Sequence, residues 1–344
     1  MSFLCGLGRE TKSEKKGDPV NVLVIQSDSG YNWNTIFGTV ELENGRPVNV
    51  VQVCWTDIRG VSASCHLAQP VVHILRTAGG SDDKTPSGTL VKRGATSFRP
   101  HFVIIRNEVT LPGQDHSAKL YGLAYANVPS INSLSSVIRF MARPMIHSEL
   151  LKINKRVGDA AFPLIPQNYF SSHDVMMYMF GYPAVVKVGS AHAGFGKMKV
   201  RDHHDMDDVK SVVAMIPAPL NYSTAEPFIV GQFDLRIQKI GTNFRVFKRS
   251  ALAGQWKTNT GSSHLEEVEV LLRYRSWAML ASEIFDGLDI CTVDVLVEEK
   301  TNKEYILEVN GTSSGLAPTR AAEDNIAIRE LALVRLNELY GHQV

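Results

Sequence analysis

Residues 182–200 read Tyr-Pro-Ala-Val-Val-Lys-Val-Gly-Ser-Ala-His-Ala-Gly-Phe-Gly-Lys-Met-Lys-Val. The two apolar runs predict strands, and the glycines between them let backbone N–H groups approach an anion closely. The loop is not a Walker A motif, because Ala191 and Met198 stand where that motif needs Gly and Ser or Thr. Lys187 lies inside an apolar run, where its desolvation is unfavourable unless an anion meets it. The stretch therefore favours a phosphate-binding loop, with a simple hairpin tip as the alternative.

Two carboxylates in the last third of the chain form a second candidate site. Asp294 and Glu308 are symmetric about Thr301, so an antiparallel hairpin turning there places them opposite each other. Asn310 lies two residues after Glu308 and therefore on the same face of its strand. Facing carboxylates repel unless a cation lies between them, and hard oxygen donors suit Mg²⁺ or Ca²⁺ better than zinc. The spacing predicts a divalent-cation site, with a solvated surface pair as the alternative.

Two further polar segments lie between these candidate sites. Residues 226–236 are typical of an edge strand. Residues 254–263 are bounded by glycine and contain Trp256 and Lys257. They form either an ordinary loop or a mobile lid that brings a cation to a phosphate.

Strands alternate with helical segments, which predicts an α/β fold in more than one domain. Apolar runs at 21–25, 50–55 and 101–106 indicate a small α/β domain over residues 19–129, after a charged stretch, 1–18, that we expect to be disordered. A second domain is expected over 130–344. Its first two helices are predicted at Ser135–Ala142 and Ser148–Val157. A third is expected after a capping box at Ser263–Glu266, with one face formed by Leu271, Tyr274, Ala278 and Phe285 and an end at Gly287. The last is predicted from the shared face of Ile328, Ala332, Leu336 and Leu339.

Composition excludes several classes of protein. The 36 Lys and Arg against 35 Asp and Glu give a net charge of +1, which offers no long-range field for nucleic acid. The four cysteines have no metal-ligand spacing and are expected to be reduced. No run approaches the ~18 apolar residues of a membrane span, and the N-terminal apolar piece is too short for a signal peptide. We expect a cytoplasmic protein without a transmembrane segment.

Two patterns suggest other chemistry. Residues 311–315, Gly-Thr-Ser-Ser-Gly, fit a nucleophile elbow, but Pro318 argues against the helix that an elbow must enter. His203 and His204 lie among four aspartates, but adjacent histidines at a helix start do not face one point. We predict neither a hydrolase nor a metal site there.

Together these motifs resemble the ATP-grasp superfamily, in which two sheets hold the nucleotide and a glycine-rich loop covers its triphosphate. The resemblance implies an ATP-grasp fold preceded by a small Rossmann-like α/β domain. A lid-bearing subdomain would span about 150–230 and a metal-binding subdomain about 231–344. The implied ligands are ATP and Mg²⁺ or Ca²⁺.

The resemblance also implies roles for individual residues. Lys152 and Lys187 would contact phosphate, Arg249 and Lys257 the γ-phosphate, and Asp234 the ribose. Glu226 and the backbone after it would form the adenine hinge. The full implied ATP set is Lys152, Lys187, Gly194, Gly196, Lys197, Glu226, Phe228, Ile229, Asp234, Arg249 and Lys257, and the implied metal set is Asp294, Glu308 and Asn310.

Within the superfamily, residues 20–310 resemble the central domain of the synapsins. The resemblance rests on Ser97–Arg106, Val128–Ser133, Glu226–Ile229, Arg236–Gly241, Trp256–Gly261 and Gly287–Cys291, of which the Trp-Lys-Thr-Asn-Thr-Gly run is highly specific. The family implies a homodimeric phosphoprotein, peripheral on the cytoplasmic face of presynaptic vesicles. It implies binding to ATP, vesicle phospholipid and actin, with vesicle tethering and control of neurotransmitter secretion.

Three departures from the synapsin pattern matter. Asp294 stands where synapsins carry Glu, which leaves the choice between Mg²⁺ and Ca²⁺ open, and Asn310 stands where they often lack an asparagine. Residues 9–13 do not match the family's short phosphorylation region. Two functions therefore remain: a nucleotide-switched tether without efficient turnover, or a carboxylate–amine ligase that works through an acyl phosphate, as ribosomal-modification glutamate ligases do. The synapsin-like runs outside the nucleotide pocket favour the tether.

Overall fold

The computed structural model describes residues 17–27, 31–64, 69–76, 94–177, 181–190, 195–251 and 263–342. The chain divides into two compact units. Unit 1 comprises Met1–Leu134 and Ile328–Val344, and unit 2 comprises Ser135–Ala327. The sequence assigned everything after residue 129 to the second domain, whereas the closing segment groups with unit 1.

Unit 1 is built on a three-stranded parallel sheet in the order β2-β1-β6, formed by β1 (Val20–Ile25), β2 (Val48–Val53) and β6 (Phe102–Ile105). Their apolar side chains are almost all buried, as expected for strands covered on both faces. The remaining elements are α1 (Trp33–Phe37), the antiparallel β3 (Ile58–Ser62), β4 (Val71–Arg76) and β5 (Gly94–Phe98), the hairpin β7 (Thr110–Leu111) and β8 (Gln114–Asp115), and α2 (Ser117–Tyr125). The three strands predicted from apolar runs are therefore confirmed.

Unit 2 begins with helices and a small antiparallel sheet. Helices α3 (Leu134–Phe140) and α4 (Arg143–Val157) lead to strands β9 (Asn168–Phe170), β10 (Ala184–Val188), β11 (Lys197–Val200) and β12 (Ser223–Pro227), with α5 (His203–Ala214) before the last. The sheet order is β11-β10-β12-β9. Helix α4 begins five residues before the predicted start and ends at Gly158, whose φ of 85° suits glycine. One face of the sheet packs on α5, whose N-terminus is capped by Asp202.

The larger sheet of unit 2 has five antiparallel strands. They are β13 (Gly231–Ile240), β14 (Asn243–Ala251), β15 (Ser263–Val268), β16 (Ile290–Glu298) and β17 (Glu304–Asn310), in the order β15-β14-β13-β16-β17. Alternate apolar residues on one face form a core with α4 and α6 (Leu272–Ala281). The residues between them point to the opposite face, which is polar along β13, β16 and β17.

The predicted capping box at Ser263–Glu266 is wrong. These residues form most of β15, which pairs with β14, and α6 begins only at Leu272 without a side-chain cap. A local S-x-x-E pattern is compatible with both structures, and the neighbouring strand decides between them. Tyr274 and Ala278 do lie on the buried face of α6, but Phe285 lies beyond its end.

Among the described residues the last α-helix is α7 (Ala321–Leu336), whose residues from Ile328 onward group with unit 1. Ile328, Ala332 and Leu336 are buried as the sequence predicts, whereas Leu339 lies beyond α7 and is 41 % exposed. The α/β class is confirmed. Among the described residues, no helix combines the length and apolar character needed to span a membrane.

Candidate functional site

One face of the small sheet carries closely spaced cationic side chains. Lys187 on β10 points away from the core beneath α5, and Lys197 on β11 lies opposite it in the strand register. The Lys187 Nζ atom is 2.8 Å from Glu226 Oε2, and the two side chains are only 14 % and 6 % exposed. Gln167 Nε2 donates a hydrogen bond of 3.1 Å to the same oxygen. A buried anion partner for Lys187 therefore exists within the protein itself.

The predicted pairing of Asp294 with Glu308 is confirmed, although its cause is not the one expected. The β16–β17 hairpin pairs Val297 with Glu304, which places the turn centre just before Thr301. A register shift at Leu307 then adds one residue to β17 and brings Glu308 opposite Asp294. A β-bulge thus sets the carboxylate pair, because it redirects the side chains that follow it.

Asn310 joins the carboxylate pair through its side chain. Its Nδ2 atom donates to Asp294 Oδ2 at 3.1 Å. Arg143, the first residue of α4, donates from Nη1 to Asn310 Oδ1 at 3.1 Å and lies 3.9 Å from Glu308 Oε2. The three residues predicted to bind a metal therefore lie together, with an arginine in contact with two of them.

Lys197 connects the small sheet to the carboxylate pair. Its Nζ atom donates to Glu308 Oε2 at 3.4 Å, so a residue of β11 reaches across to β17. Burial would raise the pKa of Glu308, but Lys197, Arg143 and Lys187 outweigh it and hold the pKa well below its usual range. Glu308 is therefore ionised at neutral pH, as a metal-binding carboxylate must be.

Arg236 on β13 faces Asp294 without a hydrogen bond between them. Its Nε atom is 3.8 Å from Asp294 Oδ1, and both atoms are buried without a hydrogen-bond partner among the described residues. The guanidinium is held instead by Ser314, at 2.5 Å from Nη2, and by Thr292 at 3.3 Å. One oxygen of Asp294 is thus available to a ligand.

A cleft lies between α4, the small sheet and β17. Ile146, Leu150, Leu307 and Val309 supply apolar lining, and the polar lining is Arg143, His147, Gln167, Lys187, Gly189, Tyr222, Thr224 and Glu308. Burial lowers the pKa of His147 to about 4, although Glu226 opposes this shift. His147 is consequently neutral at pH 7, and the fixed positive charges of the cleft come from Lys187 and Arg143.

The donor set suits a hard divalent cation. Asp294, Glu308 and Asn310 offer two carboxylates and an amide oxygen, and one Asp294 oxygen is buried without a hydrogen bond. Oxygen donors of this kind match Mg²⁺ and Ca²⁺. Among the described residues, no group of three or more His, Cys, Asp or Glu side chains is arranged to hold a metal ion, so the candidate set consists of two carboxylates and one amide.

The structure does not bring Lys152 to this cleft. Lys152 lies on α4 with its side chain 69 % exposed, and its Nζ atom pairs with Glu149 at 2.7 Å. Arg143, on the same helix, is the residue that contacts Asn310 and Glu308.

The other residues of the implied ATP set differ in their surroundings. Asp234 and Arg249 lie opposite each other on β13 and β14, on the polar face of the large sheet. Phe228 follows β12, and Lys199 Nζ is 3.6 Å from the centre of its ring. Ile229 is half-buried, and Gly196 has a φ of 67° that favours glycine. Gly194, Lys257 and Trp256 lie outside the described residues.

Sequence reasoning missed Arg143, His147, Gln167 and Arg236. Arg236 carried a usable signal, because a charged residue between Leu235 and Ile237 in a β-strand pattern indicates a polar face with a partner. Arg143 carried none on its own, since its role depends on where α4 begins.

The glycine after Asn310 is expected to matter for the position of Asn310. A Cβ at Gly311 would lie 3.1 Å from Phe140 Cδ2, and that ring is held edge-on by Phe285 at 5.3 Å. Gly311→Ala should therefore shift the chain at Asn310 and weaken Mg²⁺-dependent ATP affinity about tenfold. The control is Gly315→Ala, since an added Cβ there meets no atom within 4 Å. Calorimetry would contradict this positioning if both variants bound ATP like the wild type.

The competing motifs have structural roles. Ser314, in the elbow-like segment, bonds to Thr292 at 2.8 Å and to Arg236. The side chain of Asp202 accepts from the backbone N–H groups of His204 and Asp205. His203 and His204 stack on each other with ring centroids 3.9 Å apart.

Comparisons with known proteins identify the family of this chain. Residues 132–338 match the family described as "Synapsin, ATP binding domain". Synapsin of Drosophila melanogaster is 32 % identical over 323 residues, which are 94 % of this chain and 30 % of that protein. The chain thus spans less than a third of the length of this relative.

Three solved structures show the fold. The RimK domain ATP-grasp protein of Sphaerobacter thermophilus has a TM-score of 0.53 at 15 % identity, covering 91 % of this chain and 100 % of its own. The ATP-grasp ligase PsnB, complexed with a minimal precursor, has a TM-score of 0.56 at 14 % identity, and the match covers 92 % of this chain and 99 % of PsnB. The macrocyclase MdnC of Microcystis aeruginosa, bound to the precursor peptide MdnA, has a TM-score of 0.54 at 11 % identity, and the match covers 92 % of this chain and 100 % of MdnC. The fold is ATP-grasp.

Proposed function

Because this chain belongs to the synapsin family, we propose that unit 2 binds ATP together with a divalent cation. Nucleotide occupancy acts as a conformational switch rather than as a step of efficient turnover. The observation that carries this proposal is that Lys187, Arg143 and Glu308 line one cleft. Lys197 and Arg143 contact Glu308, which lies opposite Asp294. A triphosphate needs several cationic partners in a partly desolvated site, and these side chains supply them.

The roles follow from the contacts. Lys187, Lys197 and Arg143 turn from carboxylates to phosphate oxygens when the nucleotide enters. Asp294, Glu308 and Asn310 would hold Mg²⁺ or Ca²⁺, which would neutralise phosphate charge when bound. The apolar lining of the cleft excludes water, which strengthens each of these charge interactions. The segment after Glu226 serves as the adenine hinge, with the ring of Phe228 held by Lys199.

The wider role follows from the family. We place the protein on the cytoplasmic face of synaptic vesicles, as a homodimer that contacts phospholipid and actin and tethers vesicles in the presynaptic terminal. This step rests on the resemblance to Drosophila Synapsin, of which the chain spans 30 %. Co-sedimentation of the protein with phospholipid vesicles, with and without MgATP, tests this role. Recovery of the protein in the vesicle pellet that depends on MgATP supports the switch. Protein that stays in the supernatant in both conditions contradicts the tether.

A second function is an ATP-grasp ligase that joins a carboxylate to an amine. Two observations favour it: Glu308 and Asn310 are both present beside Asp294, and PsnB and the RimK domain protein share the fold. The two functions are separated by phosphate release in the presence of MgATP and a panel of amino acids and peptides. The switch predicts negligible release, whereas steady, substrate-dependent release would make the ligase the primary function.

A further inference from the structure

Both carboxylates of the predicted metal set are in contact with cationic side chains. Glu308 Oε2 lies 3.4 Å from Lys197 Nζ and 3.9 Å from Arg143 Nη1. Asp294 Oδ1 lies 3.8 Å from Arg236 Nε. The cations come from three different elements, α4, β11 and β13, and they surround the place where a divalent ion would bind.

These contacts are shielded from solvent. The side chain of Lys197 is 13 % exposed, and those of Arg143 and Glu308 are 24 % and 20 % exposed. Charges at such depth interact more strongly than surface charges and are screened less by salt. A divalent ion that approaches Glu308 must therefore displace partly buried cationic partners.

The charge balance disfavours a free divalent ion. Lys187, Lys197, Arg143 and Arg236 are paired with only three carboxylates, those of Glu226, Asp294 and Glu308, which leaves one surplus positive charge in this network. A divalent ion alone would increase this surplus and would leave the displaced cations without partners. A triphosphate reverses the balance, because it supplies anionic oxygens to which the same cations can turn.

We infer that Lys197 and Arg143 occupy the place of the metal in the nucleotide-free protein, so that the site rejects a free divalent ion and accepts one only together with the phosphates of a nucleotide. This inference rests on the proposed function and adds to it the form of ligand that the site recognises. The site would then respond to nucleotide and not to the concentration of free Ca²⁺ or Mg²⁺.

The test measures Mn²⁺ binding by electron paramagnetic resonance in the absence of any nucleotide. Wild-type protein should bind Mn²⁺ at this site no more tightly than about 1 mM. Removing the competing cations in the double variant Lys197→Met with Arg143→Met should tighten binding by about tenfold or more, since two like charges are lost near the ion. The matched control is Lys155→Met, which removes an exposed positive charge from the last turn of α4 and leaves the contacts of Glu308 in place.

A third substitution assigns any gained affinity to the correct carboxylate. Adding Glu308→Gln to the double variant should abolish the gain. If the Met variants do not fold, the double variant Lys197→Gln with Arg143→Gln replaces them in the Mn²⁺ titration, because it retains hydrogen-bond donors for Glu308. Tight Mn²⁺ binding by the wild type, or no gain in the charge-deleted variants, would overturn the inference. Because no nucleotide is present, this outcome is separate from whether the protein binds ATP.

Discussion

Replacing Lys187 with Met is expected to lower both the ATP affinity and the stability of the protein. The affinity should fall by roughly 30- to 150-fold, about 2–3 kcal/mol, because a partly buried charge-assisted contact to phosphate is lost. The free energy of unfolding should also fall, by up to about 3–5 kcal/mol, because Glu226 would remain buried with Gln167 as its hydrogen-bond donor. Calorimetry with ATP and urea unfolding measure the two effects separately.

A second variant separates these two losses. Lys187→Met combined with Glu226→Gln removes the unpaired buried charge, so stability should recover while ATP affinity stays low. Lys155→Ala, at an exposed position of the last turn of α4, is the control and should change neither quantity. Unchanged ATP affinity in Lys187→Met would mean that the loop after β10 is only a hairpin tip.

Replacing Glu308 with Gln should remove the dependence of ATP binding on a divalent ion. The substitution retains the shape of the side chain but deletes the charge that faces Asp294. In wild-type protein, ATP should bind at least about tenfold more tightly with Mg²⁺ than in EDTA, and in the variant the two affinities should converge. Asp294 is shorter than the glutamate of the synapsins, so Mg²⁺, which tolerates less variation in distance, should be preferred over Ca²⁺.

The matched control for this experiment is Glu298→Gln. Glu298 lies on the same hairpin but accepts a hydrogen bond from Thr301 at the turn, away from Asp294. It should retain the wild-type difference between Mg²⁺ and EDTA. Equal ATP affinities of the wild type in EDTA, Mg²⁺ and Ca²⁺ would show that no divalent ion takes part in ATP binding.

Strand patterns predict correctly that Asp294, Glu308 and Asn310 lie together, but only in part for the expected reason. The period of two places Asp294, Glu308 and Asn310 on one face once their strands are recognised. The bulge at Leu307, however, cannot be read from residue types, because it depends on how β17 pairs with its neighbours. The correct pairing resulted from a turn and a bulge that compensate for each other.

Helix boundaries explain the residues that sequence reasoning misplaced. The resemblance implies a phosphate contact for Lys152, but helical geometry directs this side chain to solvent beside Glu149. Arg143 reaches Asn310 because α4 begins there, five residues before the predicted start, and boundaries are the least certain part of a sequence-based assignment. The same limit applies to Ser263–Glu266, whose capping pattern yields to strand pairing with β14.

The most direct test of the central claim is isothermal titration of the wild-type chain with ATP in Mg²⁺, in Ca²⁺ and in EDTA, repeated with Lys187→Met. We expect one ATP bound per chain, with tighter binding in the presence of a divalent ion than in EDTA and markedly weaker binding in the variant. A folded wild-type chain that binds no ATP under any of the three conditions, or that binds it equally well after Lys187→Met, would contradict the account.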